Sequence, residues 1–411
     1  MTAMNHVRYL AETIGPRGST TPQEAEAASY AARVLQEAGL EPVTETFISA
    51  RSAWYPYALF AGLVLVGELL FWIGGAWGSL IALGLTLLAL VSVLLELAFR
   101  PNPLRWLLPK GRSQNVWARI PPTGEVRERV VLLGHLDTHR TPLVFSSPGW
   151  LKLFNSLVPV GLVSSVFLTI LFAIGIFDPG GWLWRLLSLP LALVVLLILL
   201  ITLQADRSPY TAGANDNATG AGVVLSLAQR LAQTPLTHTT VWAVLSGCEE
   251  VGCYGAEAFA QRHREELGRP VWLTLDSVGG AGSAPAYLTQ ETFLLPIRSD
   301  PDLLALADRI AADQPELGAY SHAFKGAYTE GAIGGRYGFR VFTLVNHRRD
   351  GALPEWHRPT DVVANLDPDV VARTETFVWA MLQELDRHSQ VCDVHAPGVS
   401  PAAGRRVADP A

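Results

Sequence analysis

Seven side chains of metal-binding and proton-transferring type stand out along the chain: His135, Asp137, Asp216, Glu249, Glu250, Asp276 and His357. Most follow short apolar runs of β character. Val130–Gly134 runs into His135-Leu136-Asp137, Thr239–Ser246 into Glu249-Glu250, and Val271–Leu275 into Asp276. Val341–Val345 precedes a loop with His357 and, four positions on, Asp361. Open α/β sheets collect ligands at the C-terminal ends of their strands, so one sheet edge would gather all of these. Singly each has an ordinary role: a hydrogen-bonded structural His, a solvated Glu pair, a turn-forming Asp. Together they supply the imidazole and carboxylate ligands of a two-zinc site.

Two metals about 3.5–4 Å apart need a shared carboxylate and a shared water. Asp216 is the candidate. It sits in Ala214-Asn215-Asp216-Asn217-Ala218-Thr219-Gly220, ahead of an apolar helix with Val223, Val224, Leu227, Ala228 and Leu231. An anionic group there faces unpaired N–H groups and the positive end of the helix dipole. By itself such a stretch is an Asx turn or an N-cap; its neighbours in order make it a bridge. One metal takes His135 and Asp276, the other Glu250 and His357. Asp137, two residues from His135, can accept the second imidazole N–H and orient the ring. Glu249 is left free to take a proton from water and pass it to a leaving amine.

The elements that must position these groups alternate. Thr21-Pro22-Gln23-Glu24 is a capping box opening a helix to about Ala38, closed by Gly39. Val43–Ile48, Gln114–Ile120 and Val130–Gly134 read as strands. After Gly220 come helix 218–233, strand Thr239–Ser246, a helix near Ala256–Arg264, strand Val271–Asp276, helix Asp302–Ala312, strand Val341–Val345 and helix Pro368–Leu385. The fold class expected is α/β: a mixed, mostly parallel sheet flanked by helices.

Four apolar runs of membrane-spanning length interrupt this pattern: Trp54–Ile73, Gly78–Phe99, Val158–Phe177 and Leu186–Leu203. They form two hairpins with Trp and Tyr near their ends, as aromatic belts are placed. Arg51, Arg100, Arg105, Lys110, Arg112, Lys152 and Arg207 flank the side shared with the polar sequence, against Arg185 alone opposite. That asymmetry predicts a cytoplasmic polar domain, and the start of the chain lacks the form of a signal peptide. Glu96 would reach the interface. Glu68 either faces the bundle interior or is protonated. Asp216 lies 13 positions past Leu203 (216 − 203), so about 43 Å at most separates it from the membrane end.

Only 17% of residues are charged and 49% are hydrophobic, with a net charge of −6, which excludes the electrostatic footprint of a nucleic-acid binder. Cys248, Cys253 and Cys392 show no disulfide or CxxC spacing. His139, His322 and His347 read as surface or structural. The boundaries expected are a polar domain of 1–50, 110–150 and 204–388, hairpins at 53–99 and 157–203, and a disordered tail at 389–411.

The motifs Gly134-His135-Leu136-Asp137, Gly213 to Gly220, Glu249-Glu250-Val251-Gly252, Leu275-Asp276-Ser277-Val278-Gly279 and His357-Arg358-Pro359-Thr360-Asp361 occur in order. In them the chain resembles the two-zinc exopeptidases of metallopeptidase clan MH, of aminopeptidase and glutamate-carboxypeptidase type. Ile14-Gly15-Pro16-Arg17 resembles the start of that domain. The resemblance implies His135, Asp216 and Asp276 on one zinc, Asp216, Glu250 and His357 on the other, Glu249 as general base and Asp137 as the carboxylate that supports His135. Two positions depart from it. Trp356 stands where many relatives carry Tyr, and Thr329-Glu330 where they carry Ser/Thr-Asp near the substrate pocket. The expected function is a membrane-anchored two-zinc exopeptidase acting on peptides, an aminopeptidase first. The alternatives are a carboxypeptidase, another amide hydrolase or glutaminyl-cyclase-like enzyme, an inactive membrane scaffold, and a transporter. A single-zinc cyclase does not need the full ligand set, a scaffold would have lost ligands, and four spans with few polar residues make a poor conduit.

Overall fold

A computed structural model describes residues 1–391, with the side chains of 1–388. Residues 392–411, with Cys392 and most of the expected tail, lie outside the described residues. Positions 389–391 belong to the last helix.

The strands are β1 (Val43–Ala50), β2 (Lys110–Ile120), β3 (Glu128–His135), β4 (Thr239–Ser246), β5 (Val271–Asp276), β6 (Ala286–Thr292), β7 (Pro296–Arg298), β8 (Tyr320–Lys325) and β9 (Arg340–Val345). The sheet order is β1-β2-β4-β3-β5-β9-β6-β7, with β8 paired to β6. Its centre, β4-β3-β5-β9, is parallel, and both flanks add antiparallel strands. The sheet is mixed and covered by helices, as expected. β6 to β8 were not foreseen: Ala286–Thr292 and Tyr320–Lys325 carry polar residues in no two-residue rhythm.

The helices are α1 (Ala3–Arg8), α2 (Pro22–Glu37), α3 (Tyr55–Ile73), α4 (Gly75–Leu97), α5 (Pro148–Phe177), α6 (Trp182–Arg207), α7 (Gly220–Gln233), α8 (Tyr254–Leu267), α9 (Pro301–Asp313), α10 (Gly331–Arg336) and α11 (Pro368–Val391). Alternation along β3 divides the core. Val130 and Leu132 join α1, α2, α7, α9 and α11 on one face. Val131 and Leu133 meet Trp242, Trp272 and Phe259 on the other, under α8 and α10. Truncating a buried aromatic such as Phe259 to Ala would cost about 3–5 kcal/mol.

The four apolar runs fold as helices of 19, 23, 30 and 26 residues, each long and apolar enough to cross a membrane. In the bundle α3 lies between α4 and α6, with α5 opposite. Phe60, Val64, Phe71, Leu168, Phe172 and Val195 fill its interior. Val66, Leu69, Val91, Val163 and Leu193 remain exposed on its outside. Gly67 lets α3 approach α4 so closely that a Cβ there would sit 3.2 Å from the Ala82 carbonyl oxygen. α5 starts ten residues before the expected Val158 because Ser147 caps it, accepting from the Trp150 N–H at 3.3 Å. Glu68 faces inward: its Oε1 accepts from Ser188 at 2.6 Å and from the Trp72 indole at 2.8 Å.

Candidate metal centre and active site

The parallel strands deliver their C-terminal residues to one edge. His135 ends β3, Asp276 ends β5, and Glu249 and Glu250 follow β4. Asp216 lies in the irregular turn Ala214–Thr219 before α7, and His357 in the loop after β9. That turn is built by its neighbours. Asn217 Oδ1 accepts from the N–H groups of Gly220 (2.9 Å) and Ser277 (3.1 Å), and its amide donates to the Leu275 carbonyl at 2.8 Å. Asn215 Oδ1 accepts from Gly279 N–H at 2.9 Å. The two Asn residues therefore stitch the turn to the end of β5, and Asp216 is left pointing into the cleft. The Asp361 carboxylate accepts the N–H groups of Asn215 (2.6 Å) and Asp216 (3.1 Å). The buried Arg17 guanidinium donates to the carbonyls of Ala212 and Gly213 at 2.5 and 2.8 Å. Asp361 and Arg17 hold the turn, a role their spacing in sequence does not reveal.

Asp216 faces two ways. Its Oδ1 lies 3.4 Å from His135 Nε2 and its Oδ2 lies 3.4 Å from His357 Nε2. On the first side Asp276 Oδ1 is 3.9 Å from His135 Nε2. On the second, Glu250 Oε2 is 3.3 Å from His357 Nε2. Glu249 Oε2 stands 3.9 Å from His135 Nε2, and its Oε1 accepts from the Cys253 thiol at 3.2 Å. All six side chains expected around the metals thus converge. Among the described residues, His135 Nε2, Glu250 Oε1 and His357 Nδ1 are buried without a hydrogen-bond partner. Buried carboxylates at this density, with an orphaned imidazole nitrogen among them, need cations to offset their charge. The donor set of imidazole and carboxylate fits zinc.

Asp137 supports the site differently from the simple expectation. His135 Nδ1 meets its main-chain carbonyl at 3.1 Å, with the carboxylate Oδ1 at 3.5 Å. The carboxylate itself accepts from Ser19 (2.6 Å) and from the N–H groups of Glu249 (3.0 Å) and Glu250 (3.2 Å). It fixes the Glu-Glu turn as well as the ring.

His139, read from the sequence as surface or structural, is buried against the site. It stacks on His357, ring centroids 3.6 Å apart. A ligand atom of His139 groups with those of Glu250 and His357. Its Nδ1 is 2.6 Å from the Arg140 carbonyl, the geometry of an N–H donor that leaves Nε2 free. The spacing of 135, 137 and 139 puts all three on one side of an extended chain, a signal the sequence did contain. Thr329-Glu330 goes the other way. Thr329 donates to Glu291 at 2.8 Å, Ser246 donates to Glu330 at 2.5 Å, and both are buried beneath the cleft rather than in it. His322 and His347 pair with each other, ring centroids 4.4 Å apart, outside the cavity wall.

Charge in the cleft is strongly redistributed. Burial pushes the Glu249 carboxyl well above its usual range; His135 opposes this, while Glu250, Asp276 and Glu330 add to it. Burial alone would raise Asp216, but its contacts with His135 and His357 outweigh that and hold it ionised well below the usual range. Burial, and then the neighbouring His357, keep His139 neutral by lowering it well below the usual imidazole value. An anion flanked by two imidazoles beside a carboxyl of high proton affinity is the arrangement of a hydrolytic centre.

Residues 199–382 match peptidase family M28, a family of zinc-peptidase clan MH. The matched segment holds Asp216, Glu249, Glu250, Asp276 and His357. The resemblance to the clan MH exopeptidases is borne out by this match, and the class it defines is a zinc-exopeptidase-like hydrolase. No curated protein matches the chain. Among solved structures, the leucine aminopeptidase precursor of Bacteroides thetaiotaomicron is similar with a TM-score of 0.56 at 13% identity, over 93% of this chain and 96% of that one. A Zn-dependent exopeptidase from Parabacteroides distasonis gives 0.54 at 12% identity, over 94% and 96%. The glutaminyl cyclase of Fimbriiglobus ruber gives 0.55 at 15% identity, over 93% of each chain. At these identities the likeness establishes the fold.

Proposed function

We propose that this chain is a membrane-anchored two-zinc exopeptidase, an aminopeptidase, with its catalytic domain on the cytoplasmic face. The peptidase domain comprises 1–50, 110–150 and 204–388, and the hairpins 53–99 and 157–203 anchor it. The observation that carries the reading is the two-sided Asp216, each oxygen 3.4 Å from a different imidazole. In this reading His135, Asp216 and Asp276 hold one zinc, and Asp216, Glu250 and His357 the other. When bound, zinc polarises the scissile carbonyl and acidifies water. Glu249 takes the proton of the attacking water and returns it to the leaving nitrogen, a task suited to its raised proton affinity. Asp137 keeps Glu249, Glu250 and His135 in register. The apolar helices and the excess of Lys and Arg on the domain side support the anchor and its orientation.

The glutaminyl cyclases among the similar folds favour, as second reading, cyclisation of an amino-terminal Gln. Purified full-length protein, assayed on free and N-acetylated peptides with and without chelator, tests both. The expected outcome is removal of the first residue from free peptides only, loss of turnover on chelation, and two zinc ions per chain. In Asp216→Asn both ions fall below full occupancy. Equal cleavage of acetylated peptides overturns the aminopeptidase reading. Pyroglutamyl product from a Gln-peptide, without release of Gln, establishes the cyclase instead.

A further inference from the structure

A cavity of about 290 Å³ begins at the metal-site residues Glu249, Glu250 and His357 and continues into the helical bundle. Phe60 of α3, Val93 of α4, Leu162 of α5 and Ile198 of α6 all line it. On α5 its wall runs from Phe154 to Leu162, eight residues (162 − 154) or about 12 Å along the helix. The reacting centre and the interior of the apolar bundle are therefore one continuous space. Water gains little there, whereas a hydrocarbon chain sheds its whole hydration on entering.

The charges at the mouth of this space are spent. Arg105 and Glu96 pair with each other at 2.6 Å, and Arg105 also donates to the Val251 carbonyl at 2.7 Å and the Tyr254 hydroxyl at 3.0 Å. Glu330, which the sequence aligned with a position near the substrate pocket, is buried away from the cavity. Beyond the metal-site groups, the Arg105–Glu96 pair and His139, the wall is mostly apolar, with Tyr57, Thr202, Tyr328 and Trp54 among its other side chains carrying polar atoms.

We propose that the site also hydrolyses long-chain N-acyl amides, with the acyl chain in the bundle and the polar amine half toward the domain. The inference rests on the zinc-hydrolase reading of the same residues and on the bundle lying in a membrane, which supplies such amphiphiles. Water adds to the acyl carbonyl and the C–N bond breaks. The water proton passes through Glu249 to the leaving nitrogen, giving a fatty carboxylate and a free amine. No oxidant, reductant or second substrate is required.

The test uses the zinc-loaded full-length protein in detergent micelles. Substrates are N-acyl-alanine amides with acyl chains of increasing length and a free alanyl peptide. The expected kcat/KM rises roughly threefold to fourfold per methylene until the cavity is full, then falls. Leu162→Trp and Ile198→Trp, which fill the cavity from two helices, move the optimum to shorter chains. Val163→Trp, on the exposed face of the same helix, leaves the optimum in place. Retained zinc content shows that each variant is folded. If free peptides are cleaved but acyl amides are not, or if neither filling variant moves the optimum, this proposal falls and the exopeptidase stands. If the zinc-loaded protein cleaves neither class, the hydrolase reading fails and takes this one with it.

Discussion

Glu249 and Glu250 are adjacent in the chain and have different work to do. Glu250 aims Oε2 at His357, while Glu249 lies between the Cys253 thiol and His135. The backbone makes this division. Both N–H groups are tied to Asp137, and the Glu249 carbonyl accepts from Gly252 and Cys253, so the turn cannot rotate one side chain into the other's place. Glu249→Gln keeps the shape and removes the proposed base. The expected result is a fall in kcat of about 10²- to 10⁴-fold with zinc per chain unchanged. Zinc analysis and kinetics on the same preparation check it; a variant that loses metal would make Glu249 a ligand. At this scale the sequence was informative because most of the groups follow a strand that is recognisable by itself, and Asp216 precedes an equally recognisable apolar helix. Arg17 was hidden because its partners are backbone carbonyls at 212 and 213, which no side-chain pattern marks. Thr329-Glu330 was misplaced because two adjacent residues carry no information about which face of the sheet they pack against.

One contact cluster ties the bundle to the turn that carries Glu249 and Glu250. Glu96, in the last turn of α4, binds Arg105 through both carboxylate oxygens, and Asn102 adds a donor at 2.7 Å. Arg105 reaches from there to the Val251 carbonyl, one residue past Glu250. The pair is largely buried, with the Glu96 side chain 5% exposed. Breaking such a pair leaves an uncompensated charge, at about 3–5 kcal/mol. Arg105→Ala should therefore lower the melting temperature in detergent more than the double variant Arg105→Met with Glu96→Gln, which buries no charge. Thermal melts of the two variants and the parent decide it; equal losses would mean that the ion pair is not what couples the elements. Elements of this kind were unevenly legible. The apolar helices and the central strands declare themselves by length and by alternation. α10, Gly331–Arg336, is half glycine and has no apolar stripe, so only its packing under β9 and over Trp272 makes it a helix. β7 has three residues and exists by pairing with β6 alone.

For the whole molecule, the arrangement of the bundle determines where the domain must lie. The cavity draws on residues near the start of α3 and α5 and near the end of α4 and α6, which puts those four helix ends together, against the domain. The opposite ends carry only the short turns around Gly74 and at 178–181. Arg185 there donates to the Pro179 carbonyl and is the single basic residue of that side, against seven on the domain side. In the proposed topology, with the bundle crossing a membrane, the excess of Lys and Arg would hold the domain on the cytoplasmic side. Gly180 tolerates a side chain, since a Cβ there meets nothing within 4 Å, and Glu316 is exposed on the domain. In a Cys392→Ser background, with Cys248 and Cys253 buried, a membrane-impermeant maleimide applied to intact cells should label Gly180→Cys and leave Glu316→Cys unlabelled until the cells are opened. Labelling of Glu316→Cys in intact cells, with Gly180→Cys protected, would put the cleft outside the cell and make its substrates those of the outer leaflet. Labelling of both at once would mean that the helices do not span, and the apolar faces of α3 to α6 would then require a protein partner instead of lipid.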